Sequence, residues 1–179
     1  MLRNKVGKGL LFVSMLALAG MFATPLQANA GCKFVSSHAG NAPFEIQVTE
    51  KDTDESKIFL ETCVNPYTKK YAADPEAAIA GKKKFGLYSC PACHGGQGEG
   101  LVAVSLTDDK WQVANNIHDK GMFETIAGGT DAGMVGWHSQ IVGNADLATT
   151  DEILKIIGWI RLMYKGGDVR PWLNEEPQK

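Results

Sequence analysis

The sequence predicts an all-α core with long loops. Three segments carry helical signals, two-residue alternation between them is scarce, and glycine-containing stretches separate them. The first helical segment begins at Asp74-Pro75, a capping residue followed by proline at the first helical position, and runs to about Tyr88. The second covers about Asp119 to Ala127, with Met122, Phe123 and Ile126 on one side and Gly128-Gly129 as its stop. The third is signed most strongly. Thr149 and Glu152 make a capping box, and Ile153, Ile157, Ile160 and Tyr164 recur at helical spacing before Gly166-Gly167. Upstream, a short helix is expected near Lys57–Thr62 and a turn at Asn65-Pro66. There is no internal repeat.

The 179 residues suffice for one ordinary domain and a leader. Residues 1–30 have the three-part order of a cleaved secretory signal peptide. Arg3, Lys5 and Lys8 precede the apolar stretch 10–19, and Ala28-Asn29-Ala30 supplies small residues for cleavage. Two rival readings are weaker: the apolar stretch is short for a membrane anchor, and Asn29 stands where a lipid-attachment motif at Cys32 wants an aliphatic residue. No later segment reads as a membrane span, since Lys155 and Arg161 interrupt 153–162. The expected organisation is an N-terminal extension at 31–73, a main domain at 74–166 and a tail at 167–179.

The leader holds three of the 18 basic residues and none of the 20 acidic ones, so the remaining chain has 15 basic against 20 acidic groups, net −5. That balance argues against a nucleic-acid partner, whose electrostatic attraction requires positive charge. Export also places Cys32 and Cys63 in an oxidising compartment, where a structural disulfide between them is the default.

Chemistry concentrates at Cys90-Pro91-Ala92-Cys93-His94. Cys-x-x-Cys-His is the attachment signature of c-type haem. Two intervening residues match the separation of the two haem vinyl groups, and the adjacent histidine can point at the iron. Cys90 and Cys93 are therefore the expected thioether anchors and His94 the proximal ligand. A thioredoxin-like pair would follow a strand, whereas a helix is expected here. A zinc site would need two further soft ligands at matching spacing, and Cys32 and Cys63 are far upstream. A haem also gives long loops an apolar disc to pack on, with Gly95, Gly96, Gly98 and Gly100 where backbone must run close to it.

Candidates for the sixth ligand are Met122, Met134, Met163, His118 and His138. Met122 and Met163 lie on apolar helical spacing, where a core role is usual. Met134 lies in the glycine-containing loop 128–136 and is preferred, because a loop crossing the distal face is what such a ligand needs. His138, beside Trp137, is expected to be a partly buried haem-pocket residue bonding a propionate or a backbone carbonyl. His118 is expected to face solvent, His38 carries no signal, and Lys82-Lys83-Lys84 reads as a solvated face before a docking patch. The four tryptophans are expected in the core or against the haem.

Gly81-Lys82-Lys83-Lys84-Phe85, the methionine loop and an aromatic-bearing last helix resemble a class I cytochrome c. The resemblance implies that the first and last helices of that fold cross at Gly81 or Gly86 against Trp159 or Tyr164. Gly81 and Phe85 stand one residue farther from the first haem cysteine than in the commonest pattern. Phe59-Leu60-Glu61-Thr62, Asn65-Pro66-Tyr67, residues 119–126, Gly158-Trp159-Ile160-Arg161 and Tyr164-Lys165-Gly166 are similar to the cytochrome c-L family. That resemblance implies a periplasmic electron carrier, not an enzyme. Its donor would be a pyrroloquinoline-quinone (PQQ)-dependent methanol dehydrogenase and its acceptor a small cytochrome c or a terminal oxidase. It also implies one covalent haem c and a calcium ion nearby, with no ligands assignable. The rival functions are a haem peroxidase or oxidase subunit with an open iron, and a haem-based sensor.

Overall fold

The computed structural model describes residues 31–178; the proposed signal peptide lies outside them. Two short strands, β1 (Phe34–Val35) and β2 (Pro43–Phe44), pair antiparallel, with Phe34 opposite Phe44. The α-helices, joined by loops, are α1 (Asp54–Thr62), α2 (Pro66–Ala73), α3 (Ile79–Leu87), α4 (Pro91–His94), α5 (Asp119–Gly128), α6 (Ser139–Val142) and α7 (Thr150–Met163).

Helix α7 organises the core. Its capping box forms as expected, with Thr149 Oγ1 accepting from Glu152 N–H and the Glu152 carboxylate accepting from Thr149 N–H. Ile153, Leu154, Ile156, Ile157 and Ile160 are all buried, and each contributes about 1.5–3 kcal/mol through loss of apolar surface to water. Helix α3 crosses α7 where Gly81 has no side chain; a Cβ there would lie 2.7 Å from the Trp159 Cβ. Phe85 packs on Trp159 with ring centroids 4.7 Å apart. Of the expected crossing partners, Gly81 and Trp159 meet, whereas Gly86 is exposed and Tyr164 joins Trp111 and Trp172 elsewhere.

Helix α2 packs on another face of α7, with Tyr67 and Tyr71 against Gly158. This helix stands where the sequence suggested only a turn. Asn65 is its N-cap, accepting from Tyr67 N–H at 3.0 Å, and Pro66 is its first residue, so the turn signal was a helix start. The expected helix from Asp74 also differs. Residues Pro75–Ala78 form a 3-10 turn without a side-chain cap, and the α-helix begins at Ile79. Helix α1 starts earlier than expected, at Asp54, because Thr53 caps it. Helix α7 ends at Met163, three residues before the glycines, when Tyr164 turns extended.

Cys32 and Cys63 are joined in a disulfide, Cα atoms 5.2 Å apart and 31 residues apart in sequence. Closing a loop of that length contributes about 3–4 kcal/mol in the chain-entropy account. Beside it Phe34 touches Phe44, Phe59 and Phe123, with centroids between 5.3 and 5.7 Å. Among the described residues no helix is long and apolar enough to cross a membrane.

Candidate functional site

Cys90 to His94 lie on a tight structure built from short-range bonds. Ser89 takes a left-handed conformation (φ 56°) and ends the run from α3, so that α4 starts in a new direction. The Cys90 and Cys93 thiols are not joined. Burial pushes the Cys90 thiol up to about 11, the opposite of the lowered thiol that makes a redox-active pair reactive. His94 is buried, and its Nδ1 lies 2.8 Å from the Val104 carbonyl oxygen. A carbonyl can only accept, so Nδ1 is the donor, which in the neutral ring leaves the Nε2 lone pair for a metal. The intervening loop is fixed on the same segment: Gly100 N–H donates to the His94 carbonyl at 2.7 Å and Ala103 N–H to that of Cys93 at 2.9 Å. Gly95, Gly98 and Gly100 all have positive φ, while Gly96 does not. Two free thiols and an oriented imidazole with an available Nε2 fit a haem held by two thioethers and one histidine.

Met134 is half-buried in the loop that follows α5. Thr130 N–H donates to the Met134 carbonyl at 2.8 Å, and Trp137 N–H donates back to the Ile126 carbonyl at 2.9 Å. The loop therefore closes on the last turn of α5. Gly129 (φ 81°) makes closure possible, because a side chain there would collide with the Met134 carbonyl and come within 2.7 Å of the Gly136 nitrogen. Met122 is buried in the core and Met163 half-buried beside it. Trp137 brings this loop to the end of α3, two residues before Cys90, its ring 5.9 Å from that of Tyr88.

His138 differs from expectation. It is fully buried, its Nδ1 accepts from Gln140 N–H at 3.2 Å, and its Nε2 lies 3.0 Å from Thr150 Oγ1. Both ring nitrogens are thus used within the protein, on an amide N–H and a hydroxyl in place of a propionate or a carbonyl, and neither is left for iron. Burial holds its pKa down, at about 4, so it is neutral. Here it caps the short helix α6 and ties the end of the methionine loop to the start of α7.

The remaining candidates fall outside this centre. Lys84 forms a 2.6 Å ion pair with Glu152, while Lys82 and Lys83 are exposed. His118 is exposed at the head of α5, 3.2 Å from Glu175. Sequence reasoning missed a buried ion pair, Arg161 Nε to Asp119 Oδ1 at 2.7 Å, which joins α7 to α5. Asp119 also accepts the Thr68 hydroxyl from α2. The Arg161 guanidinium lies against Trp172 at 4.3 Å and Trp111 at 5.2 Å, and Nη1 has no hydrogen-bond partner among the described residues. The signal was present: Arg161 is the one charge in the C-terminal half of α7, among Ile157, Trp159, Ile160 and Leu162. No group of three or more His, Cys, Asp or Glu side chains among the described residues is arranged to hold a metal ion, so no calcium ligand is assigned.

No protein-family model matches the chain. It is 33% identical over 182 aligned residues to cytochrome c-L of Methylorubrum extorquens, covering 99% of this chain and 86% of that protein. Its structure resembles the crystal structure of cytochrome cL from the marine methylotrophic bacterium Methylophaga aminisulfidivorans. There the TM-score is 0.65 at 32% identity, over 83% of this chain and 96% of the other. It also resembles cytochrome cL from Hyphomicrobium denitrificans, with a TM-score of 0.61 at 30% identity, over 83% and 87% of the two chains. With the class I cytochrome c architecture and an attachment segment that fits covalent haem c, this likeness shows that the chain is an electron-transfer protein belonging to the cytochrome c-L family.

Proposed function

We propose that the chain is a periplasmic monohaem carrier that accepts single electrons from a PQQ-dependent methanol dehydrogenase and passes them to a small cytochrome c or a terminal oxidase. The likeness to cytochrome c-L over 99% of the chain carries this reading, since it includes the N-terminal extension that short cytochromes lack. Cys90 and Cys93 are the thioether anchors, His94 the proximal ligand and Met134 the sixth ligand. Haem iron supplies the one-electron chemistry when bound. The chain's own part is to orient His94 through the Val104 carbonyl, to hold Met134 on the closed loop after α5, and to bury the centre, which together set the potential.

Residues 1–30 are the cleaved export signal of this proposal, 31–73 an extension, 74–166 the haem domain and 167–179 a tail. With net charge −5 outside the leader, the encounter with the donor is steered by charge and buries less than about 1,200 Å², which suits rapid release. Visible and near-infrared spectra of wild type and Met134→Ala test the ligands. The weak near-infrared band of thioether-ligated ferric haem is present in the wild type and absent in the variant. Mixing the ferric protein with methanol dehydrogenase and methanol tests the partner. Haem reduction that slows as salt is raised supports the reading, and a protein that stays oxidised while a dye is reduced sinks it.

A further inference from the structure

The first turns of the N-terminal extension run from the disulfide to the loop that carries Met134. Cys32 is fixed by the disulfide to Cys63. Two residues on, the Phe34 ring is buried against Phe123 of α5. Val35 N–H then donates to Glu124 Oε1 at 2.8 Å, and Glu124 is a carboxylate almost fully withdrawn from water. Ser36 lies over Gly128, where a Cβ would come within 3.3 Å of its Oγ. Ser37 Oγ is 3.0 Å from Thr125 Oγ1, and His38 Nδ1 is 2.5 Å from Asp131 Oδ1, inside the methionine loop. Each successive residue thus engages α5 or the loop that follows it. The conformation of Met134 depends on the last turn of α5, because the loop is bonded to Ile126 and Ala127.

We infer that residues 32–38 are a brace that positions Met134, so that the extension tunes how firmly the sixth ligand stays on the iron. This rests on Met134 being that ligand, and goes beyond it by assigning the extension a role at the metal. Packing of the extension on the core alone would not require its contacts to converge on the segment 124–131. A brace does, and it limits loop opening, the step that must precede entry of an external ligand.

The test is the rate at which imidazole binds the ferric holoprotein, which requires Met134 to leave. Two variants are compared with wild type: Ser37→Ala/His38→Ala, which keeps the disulfide, and Cys32→Ser/Cys63→Ser. The first is expected to bind imidazole about fivefold faster, the equivalent of one net hydrogen bond. The second is expected to bind more than about tenfold faster, because the start of the brace is freed. Both should retain helical circular dichroism and show a weakened near-infrared band. If the cysteine variant fails to fold, the Ser37/His38 variant decides alone. Wild-type rates in the folded variants overturn the brace while Met134 ligation stands. A near-infrared band unchanged in Met134→Ala overturns the ligand assignment, and the brace with it.

Discussion

His94 is held by bonds of short sequence range: its ring reaches Val104, ten residues on, and Gly100 and Ala103 donate back to His94 and Cys93. Met134 stands on a loop that closes by short bonds onto α5, and it is α5 and the segment after the loop that are supported from far along the chain. Val35–Glu124 and Ser37–Thr125 span 89 and 88 residues, and Gln47 N–H reaches Gln140 Oε1, 93 residues away, just past the loop. Local bonds survive any disturbance that leaves α4 intact, whereas long-range ones fail when α5 shifts. The side carrying Met134 is therefore the one that mutation and solvent should loosen first.

Removing the support at the head of α5 should have the largest effect. Asp119→Ala leaves the Arg161 guanidinium buried without its carboxylate and frees the Thr68 hydroxyl. Breaking a buried pair in this way costs about 3–5 kcal/mol. Urea unfolding monitored by circular dichroism checks it; a loss below about 1 kcal/mol would mean that α5 is positioned without this pair.

Lowering the pH should act on the same side. His138 is neutral in the fold with a pKa of about 4, against about 6.5 when unfolded. As pH falls the unfolded chain takes the proton first. The His138 contribution is full above about 6.5, declines through the window and is exhausted below about 4, a change of about 3 kcal/mol. Stability curves at several pH values should show this slope, and His138→Asn should flatten it at the expense of the α6 cap.

A pair of glycine substitutions sharpens the contrast directly. Gly129→Ala puts a methyl against backbone atoms of Met134 and Gly136 at a positive φ, where nothing can swing aside. Gly95→Ala, also at positive φ, has as its nearest neighbours atoms of the flexible Glu99 side chain. The first should cost about 2–3 kcal/mol and abolish the near-infrared band; the second should cost about 1 kcal/mol and keep it. Equal spectra in the two would remove the distinction between the sides.

The same contrast decides what could be read in the sequence. The attachment motif and the α7 capping box are compact signals whose meaning is local, and α3, α5 and α7 were recognised with their ends shifted. Helix α2 was hidden because Asn65-Pro66 serves equally as a turn or as a cap and first residue. Val104 was invisible, since it contributes a carbonyl that every residue possesses. The Asp119–Arg161 pair and the convergence of residues 34–38 on α5 required the folded chain, because spacing along the sequence carries no information about contacts at separations of 42 and 88. His138 was expected to bond a propionate or a backbone carbonyl; its partners are Gln140 N–H, two residues on, and the Thr150 hydroxyl at the start of α7, twelve residues on.

The smallest expected effect lies on the side of His94. Glu152 is pushed up by burial, but bonds from Lys84, Thr149 and Tyr88 together hold its carboxyl down at about 2. Lys84→Met removes the ion pair on α3, the helix that leads into Cys90, and leaves the Tyr88 bond at 2.8 Å and the capping box in place. Because Lys84 is about a third exposed, solvent already screens the pair. The expected loss is below about 1 kcal/mol, with the near-infrared band and haem attachment unchanged, as urea unfolding and spectra would report. A loss near that of Asp119→Ala, or a weakened band, would show that the segment before Cys90 also depends on distant charge, and the two sides would then be held alike.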